Sequence, residues 1–173
     1  MKRSYKEEYQ YWLDSPALGE EEWKELSSIA EDEKEIESRF FAPLEFGTAG
    51  LRGVMATGLN RMNIHVIRWA TQAFATVVKA EGEEACKKGV VICYDCRLNS
   101  EKFAREAAGV MAANGIRVRI FDALRPTPEL SFAVIHYGAT AGINITASHN
   151  PREYNGYNCL LYTSPSPRDS TSS

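Results

Sequence analysis

The sequence predicts an α/β fold in which helices cover both faces of a mostly parallel sheet. Three short runs rich in β-branched residues have the character of buried strands: GVVICY at 89–94, IRVRIF at 116–121 and AGINIT at 141–146. Segments with helical periodicity separate these runs, and the connections between them are short. Strands that alternate with helices in this way are joined by crossovers, which place the strands parallel in one sheet.

The start of the chain predicts a helical extension ahead of this fold. It is rich in Glu, Lys and aromatic residues, and apolar side chains recur at helical spacing between the charges. Pro16 interrupts the pattern after Ser15, so we expect two or three amphipathic helices. The predicted organisation is an extension over residues 1–40 followed by an α/β domain over residues 41–158.

The α/β domain is predicted to begin with a loop and a long helix. Residues 46–63 contain four glycines and lack helical periodicity, which predicts a turn-rich loop with a short strand near residues 51–55. The next segment is a helix with Asn63 as its N-cap. Its predicted buried face carries Ile64, Ile67, Ala70, Phe74, Val77 and Val78. Between the later strands we expect a helix over residues 99–115 and another that begins at Pro128.

Composition and charge argue against several function classes. The chain has 173 residues, of which 44% are hydrophobic and 25% are charged, and its net charge is −3. This charge gives no electrostatic reason to expect nucleic acid or an anionic membrane as a partner. No apolar stretch reaches the length of about 20 residues that spans a bilayer, and the amino terminus lacks the apolar core of a secretory signal. We therefore expect a cytoplasmic protein, whose oligomeric state the sequence leaves open.

The most informative motif is TASHNP, residues 146–151, because it directly follows the third predicted strand. Ligands of open α/β sheets bind beyond the carboxyl ends of strands. Ser148 and His149 are adjacent, and neighbouring side chains diverge in an extended loop, so we do not expect His149 to act as a base for Ser148. The sequence also lacks the G-x-S-x-G motif of serine hydrolases. A hydrolase is therefore disfavoured.

A serine that lacks its own base but is surrounded by hydrogen-bond donors suits phosphorylation. His149 and Asn150 can donate to an anion, as can exposed backbone amides of the loop. Arg52 lies in the glycine-containing segment GLRG, where an arginine is easily directed at an anion. We therefore expect Ser148 to accept a phosphate and to pass it on.

Cys93 and Cys96 form a C-x-x-C pair, which raises the alternative of a redox domain. Strand alternation directs Cys93 into the core, and the following helix is predicted to begin only after Cys96. Neither thiol is therefore expected at a helix N-terminus, where its pKa would be lowered. The redox domain is kept as the weaker alternative.

Two segments resemble the α-D-phosphohexomutase superfamily. ITASHNPREYNGYN, residues 145–158, resembles its phosphoserine loop. FGTAGLRGVM together with LNRMN, within residues 46–63, resembles the amino-terminal active-site segment of its phosphoglucomutase and phosphopentomutase branch. YDCRLNSEKFA and RPTPELSFAV also fit, so the resemblance runs from about Phe40 to Tyr157. It implies the three-layer αβα first domain of a phosphohexomutase, with a mostly parallel mixed sheet.

This resemblance implies an intramolecular phosphotransferase. In the family a phosphoserine donates its phosphate to a sugar phosphate, and the resulting bisphosphate returns its other phosphate to the serine. Sugar 1-phosphate and sugar 6-phosphate interconvert in this way. The implied cofactors are Mg²⁺ and glucose 1,6-bisphosphate, the latter as activator and intermediate. The implied partner is a small sugar phosphate, of glucose, mannose or a pentose.

The resemblance also implies roles for individual residues. Ser148 would be the phosphate carrier and, through that phosphate, a ligand of Mg²⁺. His149 would be a polar neighbour that helps to hold sugar or phosphate, and Arg52 would contact the reacting phosphate. The further residues assigned to substrate or phosphate binding are Thr48, Asn150 and Arg97. For Arg97 an ion pair with Asp95 or Glu101 is the open alternative.

Departures from the family pattern predict that the chain is a fragment. The family has a lysine, a general acid–base candidate, where this chain has Asn158, whose amide transfers no protons near neutral pH. The D-x-D-x-D metal loop, the sugar-recognition loop and the carboxy-terminal phosphate-binding domain have no counterpart in the sequence. Residues 159–173 are dominated by Ser, Thr and Pro and are predicted to be a disordered, non-native tail.

Two expectations follow from a fragment. A sheet that ends after its third recognisable strand would expose an apolar edge. The chain alone would show no turnover, and a non-catalytic module that binds sugar phosphates or other anions is then the alternative function.

Overall fold

The computed structural model describes residues 3–47 and 50–162. Within these ranges the chain forms seven helices and five strands. In chain order they are α1 (Tyr5–Leu13), α2 (Glu20–Ser28), α3 (Glu33–Phe40), β1 (Leu51–Val54), α4 (Ile64–Ala80), α5 (Glu83–Lys88), β2 (Val90–Tyr94), α6 (Ser100–Ala113), β3 (Val118–Ile120), α7 (Thr127–His136), β4 (Ala141–Ile145) and β5 (Tyr154–Leu161). The predicted α/β class is confirmed. None of these helices combines the length and apolar character needed to cross a membrane.

A single sheet with strand order β1-β5-β4-β2-β3 forms the centre of the domain. β2 pairs in parallel with β3 and β4, as expected for strands that are joined through helices. β5 pairs antiparallel with β4 on one side and with β1 on the other. The three predicted strands therefore form the parallel part of a mixed sheet, and the strand predicted near residue 51 forms one edge.

Strand β5 is an element that the sequence pattern did not predict. Its residues read YNGYNCLL, in which two asparagines and a glycine hide the apolar alternation of a strand. Asn155 is nevertheless fully buried, because its side-chain amide donates to the Leu98 carbonyl and to Ser100 Oγ, both at 3.0 Å. Satisfied hydrogen bonds allow a polar side chain to occupy a core position.

The extent of β5 corrects two expectations. The strand runs to Leu161, past the boundary predicted at residue 158, so the disorder predicted from residue 159 does not hold for residues 159–161. The sheet has five strands, so the expectation of a sheet that ends after its third strand is wrong. Residues 163–173 of the predicted tail lie outside the described residues.

Helices pack on both faces of the sheet, which confirms the αβα layering. Helices α4 and α6 cover one face, in a core that includes Ile67, Phe103, Ile92, Ile143 and Tyr157. Helix α7 covers the other face, where Leu130 and Val134 pack against Val91 and Cys93. One residue that was predicted on the buried face of α4 is exposed. Val77 is 46% exposed because it lies about 100° around α4 from the buried Val78.

The helical extension, predicted to contain two or three helices, contains three and docks on the segment that follows β1. Its own core is formed by Tyr9, Leu26, Ile36 and Phe40. Glu25 of α2 accepts hydrogen bonds from the Thr57 N–H at 3.1 Å, from the Thr57 hydroxyl at 2.6 Å and from Arg39 at 2.5 Å. The extension therefore fixes the segment that leaves β1, the strand that carries Arg52.

Candidate active site

Ser148 lies in the loop between β4 and β5, at the carboxyl end of β4. Its φ is 53°, in the left-handed region, and its side chain is exposed. The Ser148 N–H donates to Thr146 Oγ1 at 3.0 Å, and the Asn150 N–H donates to the Ala147 carbonyl at 3.0 Å. A non-glycine residue in this conformation costs about 1–2 kcal/mol and is held there by its surroundings. The loop therefore presents a constrained hydroxyl to solvent.

The His149 ring lies beside this hydroxyl. Ser148 Oγ and His149 Nδ1 are 3.3 Å apart, so the expectation that the two side chains diverge is wrong. The reason is the left-handed φ of Ser148, which curls the loop instead of extending it. Among the residues that the structure describes, no carboxylate bonds to the His149 ring. A serine–histidine–acid triad is not formed by these residues, and a hydrolase stays disfavoured.

Arg52 reaches the serine loop from strand β1. Its Nη1 donates to Asn150 Oδ1 at 3.2 Å. Arg52 stands opposite Gly156 of β5, and a Cβ atom on that glycine would lie 3.2 Å from Arg52 Cγ. Arg52 Nε is buried and has no hydrogen-bond partner within residues 3–47 and 50–162. A guanidinium that contacts the loop of an exposed serine is suited to bind an anion there.

Arg97 binds the loop itself. Its guanidinium donates to the carbonyl oxygens of three loop residues, Ser148, Asn150 and Pro151, and of Tyr154, the first residue of β5. Its Nε lies 3.5 Å from Asp95 Oδ2, whereas Glu101 pairs with Arg105. Of the two alternatives left open by the sequence, the geometry favours the ion pair with Asp95 and argues against direct substrate binding by Arg97.

Asp95 connects three parts of the site, and sequence reasoning considered it only as a partner of Arg97. Its Oδ1 accepts from the Ser100 hydroxyl at 2.7 Å and from the Arg97 N–H at 3.0 Å. Its Oδ2 accepts from the Thr146 hydroxyl at 2.5 Å. An acidic residue directly after a buried parallel strand was the available signal, because this is where α/β sheets place functional side chains.

The C-x-x-C pair does not form a reactive dithiol. Cys93 is buried and donates from Sγ to Asn144 Oδ1 at 3.3 Å, while Cys96 is exposed, and both are free. Burial, with a smaller contribution from the charge of Asp95, raises the pKa of Cys93 to about 11. Such a thiol stays protonated near neutral pH and is a poor nucleophile. The geometry therefore opposes the redox alternative.

The motifs, the layered sheet and the serine loop agree with what the comparisons with known proteins show. A family model described as phosphoglucomutase/phosphomannomutase, alpha/beta/alpha domain I, matches residues 43–170. The chain belongs to this phosphomutase family. The resemblance seen in the sequence is thereby confirmed, and the match continues past Tyr157, where we expected it to end.

Individual phosphomutases are similar to this chain over only part of their own length. It is 43% identical to the phosphopentomutase of Homo sapiens over 155 residues, which are 84% of this chain and 25% of the relative. It is 44% identical to the phosphoglucomutase of Staphylococcus saprophyticus over 124 residues, with coverages of 72% and 22%. The solved structure of a candidate phosphomannomutase from Thermus thermophilus matches with a TM-score of 0.62 at 36% identity, covering 69% of this chain and 26% of that one. The chain thus spans about a quarter of the length of the curated relatives it matches.

Two further positions of the phosphomutase motifs are Thr48 and Asn158. Thr48, predicted to bind substrate or phosphate, lies outside the described residues. Asn158, which stands where the family motif has lysine, lies in β5 and donates from Nδ2 to the Thr146 carbonyl at 3.3 Å. A carboxamide cannot act as a general acid or base near neutral pH, so the proton-transfer role stays vacant at this position.

The side chains present do not by themselves form a Mg²⁺ site. In the described part of the chain no group of three or more His, Cys, Asp or Glu side chains could hold a metal ion. Asp95, which bonds to Thr146 in this loop, uses both carboxylate oxygens to accept hydrogen bonds. Because Mg²⁺ requires near-octahedral coordination by oxygen, a phosphate on Ser148 would provide only part of its ligand set.

Proposed function

We propose that this domain carries the phosphoserine of a phosphoglucomutase-type intramolecular phosphotransferase, with Ser148 as the carrier. The observation that carries the proposal is the exposed Ser148 hydroxyl, held in a left-handed turn two residues before Asn150, whose side chain accepts a hydrogen bond from the guanidinium of Arg52. Membership of the phosphomutase family supports it, as do relatives named phosphopentomutase and phosphoglucomutase. The substrate class is a sugar phosphate.

The proposed reaction consists of two phosphate transfers through one serine. In the first, a sugar hydroxyl oxygen bonds to phosphorus while the bond between phosphorus and Ser148 Oγ breaks, and the hydroxyl loses its proton. In the second, the other phosphate of the bisphosphate moves to Ser148 Oγ, and the sugar oxygen that it leaves takes up a proton. The sugar 1-phosphate and 6-phosphate interconvert, and glucose 1,6-bisphosphate serves as intermediate and activator.

The described residues would contribute charge and position to these transfers. Phosphoryl transfer depends mainly on charge neutralisation and in-line geometry, for which a cation such as Arg52 is suited. His149 and Asn150 lie next to the hydroxyl and to Arg52 respectively, so both can donate to the phosphate or the sugar. We propose Mg²⁺ as the cofactor, with Ser148 as a ligand through its phosphate and the other ligands from outside the described residues.

Labelled glucose 1,6-bisphosphate tests the carrier role. After incubation of the chain with the labelled bisphosphate and Mg²⁺, peptide mass spectrometry should locate the phosphate on Ser148, and Ser148→Ala should abolish it. A coupled assay with glucose 1-phosphate should show no sustained turnover. Steady Mg²⁺-dependent turnover that is lost in Ser148→Ala would contradict the expectation of an inactive fragment.

A non-catalytic module that binds sugar phosphates or anions is the second candidate. The contact of the Arg52 guanidinium with the serine loop favours it, since this cation would bind a phosphate whether or not Ser148 reacts. Calorimetric titration with the bisphosphate distinguishes the two functions. Binding that Arg52→Ala weakens, without label on Ser148, would support the binding module and contradict the carrier role.

A further inference from the structure

Arg97 holds the serine loop through backbone carbonyl oxygens. Its Nη1 donates to the carbonyls of Pro151 and Tyr154 at 2.9 and 3.1 Å. Its Nη2 donates to the carbonyls of Ser148 and Asn150 at 2.6 and 2.7 Å. The Arg97 side chain is only 14% exposed, although its bonds to Pro151 and Ser148 lie at the surface. One planar guanidinium therefore connects the beginning of the loop to its end.

Asp95 holds the other side of Ser148 through Thr146. The Thr146 hydroxyl donates to Asp95 Oδ2 at 2.5 Å, and Thr146 Oγ1 accepts from the Ser148 N–H at 3.0 Å. Because a hydroxyl has one proton, its donation to Asp95 leaves Thr146 as the acceptor for Ser148. Asp95 Oδ1 also accepts from the Arg97 N–H at 3.0 Å, so one carboxylate orients both contacts.

We propose that Asp95 and Arg97 form a clamp that holds Ser148 in the conformation in which its hydroxyl accepts and returns phosphate. The Ser148 N–H is fixed through Thr146 and its carbonyl is fixed by Arg97, so both peptide groups of this residue are constrained. This inference rests on the proposed function of Ser148 and adds two positioning residues to it.

The clamp explains how Ser148 keeps a left-handed backbone while its side chain carries a negatively charged phosphate. Without Arg97, four backbone carbonyl oxygens between Ser148 and Tyr154 would lose their shared donor, and Ser148 would relax to the negative φ that non-glycine residues prefer. The guanidinium also offsets the partial negative charges of these carbonyls, which would otherwise repel a phosphate dianion. Because the clamp acts on the loop and not on the sugar, its loss should lower the rate of transfer more than the affinity for the bisphosphate.

The test compares Arg97→Lys with the matched control Arg105→Lys, in which the exposed arginine pairs with Glu101 on α6. Two rates are measured: transfer of labelled phosphate from glucose 1,6-bisphosphate to Ser148 with Mg²⁺ present, and hydrogen exchange of the Ser148 amide. Lysine keeps the charge but cannot bridge the carbonyls, so Arg97→Lys should slow transfer and accelerate exchange by at least about tenfold each. Bisphosphate affinity should stay within about twofold, and Arg105→Lys should change neither rate.

Chemical rescue separates positioning from general stability. Arg97→Ala leaves a space shaped for a guanidinium, so added guanidinium ion, below the concentration that unfolds the domain, should restore transfer and slow the exchange again. Methylammonium has the charge without the planar fork and should restore neither. Transfer at the wild-type rate in Arg97→Lys or Arg97→Ala would overturn the clamp, as would equal recovery with both ions.

Failure of the proposed function would give a different result. If the wild-type chain takes no label on Ser148, the carrier role fails, and amide exchange alone decides on the clamp. Exchange that is faster in Arg97→Ala and slowed again by guanidinium then supports the clamp. Exchange equal to that of the wild type overturns it.

Discussion

The Nη1 atom of Arg52 lies 3.2 Å from the Oδ1 atom of Asn150, although the two residues are 98 positions apart in the chain. Strand β5 makes this contact possible, because it pairs with β1 on one side and with β4 on the other. Gly156 in β5 leaves space for the Arg52 side chain to cross the strand. The sheet order thus joins the two motifs of the phosphomutase site.

Replacing Arg52 by alanine should weaken the binding of glucose 1,6-bisphosphate without unfolding the domain. A charge-assisted hydrogen bond contributes about 1.5–3 kcal/mol, so the dissociation constant should rise about 10- to 100-fold. Calorimetric titration measures it, with Arg105→Ala as a control for the loss of one exposed positive charge. Equal affinities of both variants would show that Arg52 does not contact the anion.

Gly156→Ala should destabilise the domain, because the added Cβ would lie 2.5 Å from the Thr146 carbonyl oxygen and 2.8 Å from that of Leu51. Both contacts are with backbone atoms, one in β1 and one directly after β4, which cannot move independently of the sheet. We expect a loss of about 2–3 kcal/mol in the free energy of unfolding in urea. Gly109→Ala in α6 is the control, since nothing lies within 4 Å of its Cβ position, and it should stabilise by up to about 1 kcal/mol. A Gly156→Ala protein as stable as the wild type would contradict this packing.

Local signals in the sequence predicted the three parallel strands, the helix that Asn63 caps and the place of Ser148 at a strand end. They missed α5, because six residues are too few to show helical periodicity. They missed β5, because Asn155 is buried by tertiary hydrogen bonds that no local pattern shows.

The details of the site depend on contacts between distant parts of the chain. The Arg97 guanidinium bonds to carbonyls up to 57 positions away, and Asp95 bonds to Thr146 across 51 positions. Sequence motifs could name Arg97 but could not say whether it faces substrate or backbone. The contact between Ser148 and His149 was missed because a left-handed serine has no local sequence signature.

The two cysteines of the C-x-x-C pair should differ in reactivity. Cys96 is exposed, whereas burial raises the pKa of Cys93 to about 11 and keeps its thiol protonated near neutral pH. Brief treatment of the native chain with iodoacetamide should therefore alkylate Cys96 and leave Cys93 unmodified, as judged by peptide mass spectrometry. The same treatment in denaturant should alkylate all four cysteines of the chain. A reversible Cys93–Cys96 disulfide under mild oxidation would contradict this and revive the redox alternative.

Glu25 should couple the docking of the helical extension to pH. Burial raises the pKa of Glu25, but hydrogen bonds from Thr57 and Arg39 outweigh it, so that the pKa lies below its ordinary value of 4.5. A carboxylate with a lowered folded-state pKa stabilises the fold above the unfolded-state value and loses this effect as pH falls through the folded-state pKa.

Glu25→Gln should therefore lower the free energy of unfolding by about 1 kcal/mol near neutral pH, a modest value because the side chain is 38% exposed. Its difference from the wild type in urea unfolding should shrink below pH 4.5. The control is Glu21→Gln, at a 92% exposed position of the same helix, which should unfold like the wild type both near neutral pH and below pH 4.5. A loss that is constant across this range would show that Glu25 contributes through packing and not through its charge.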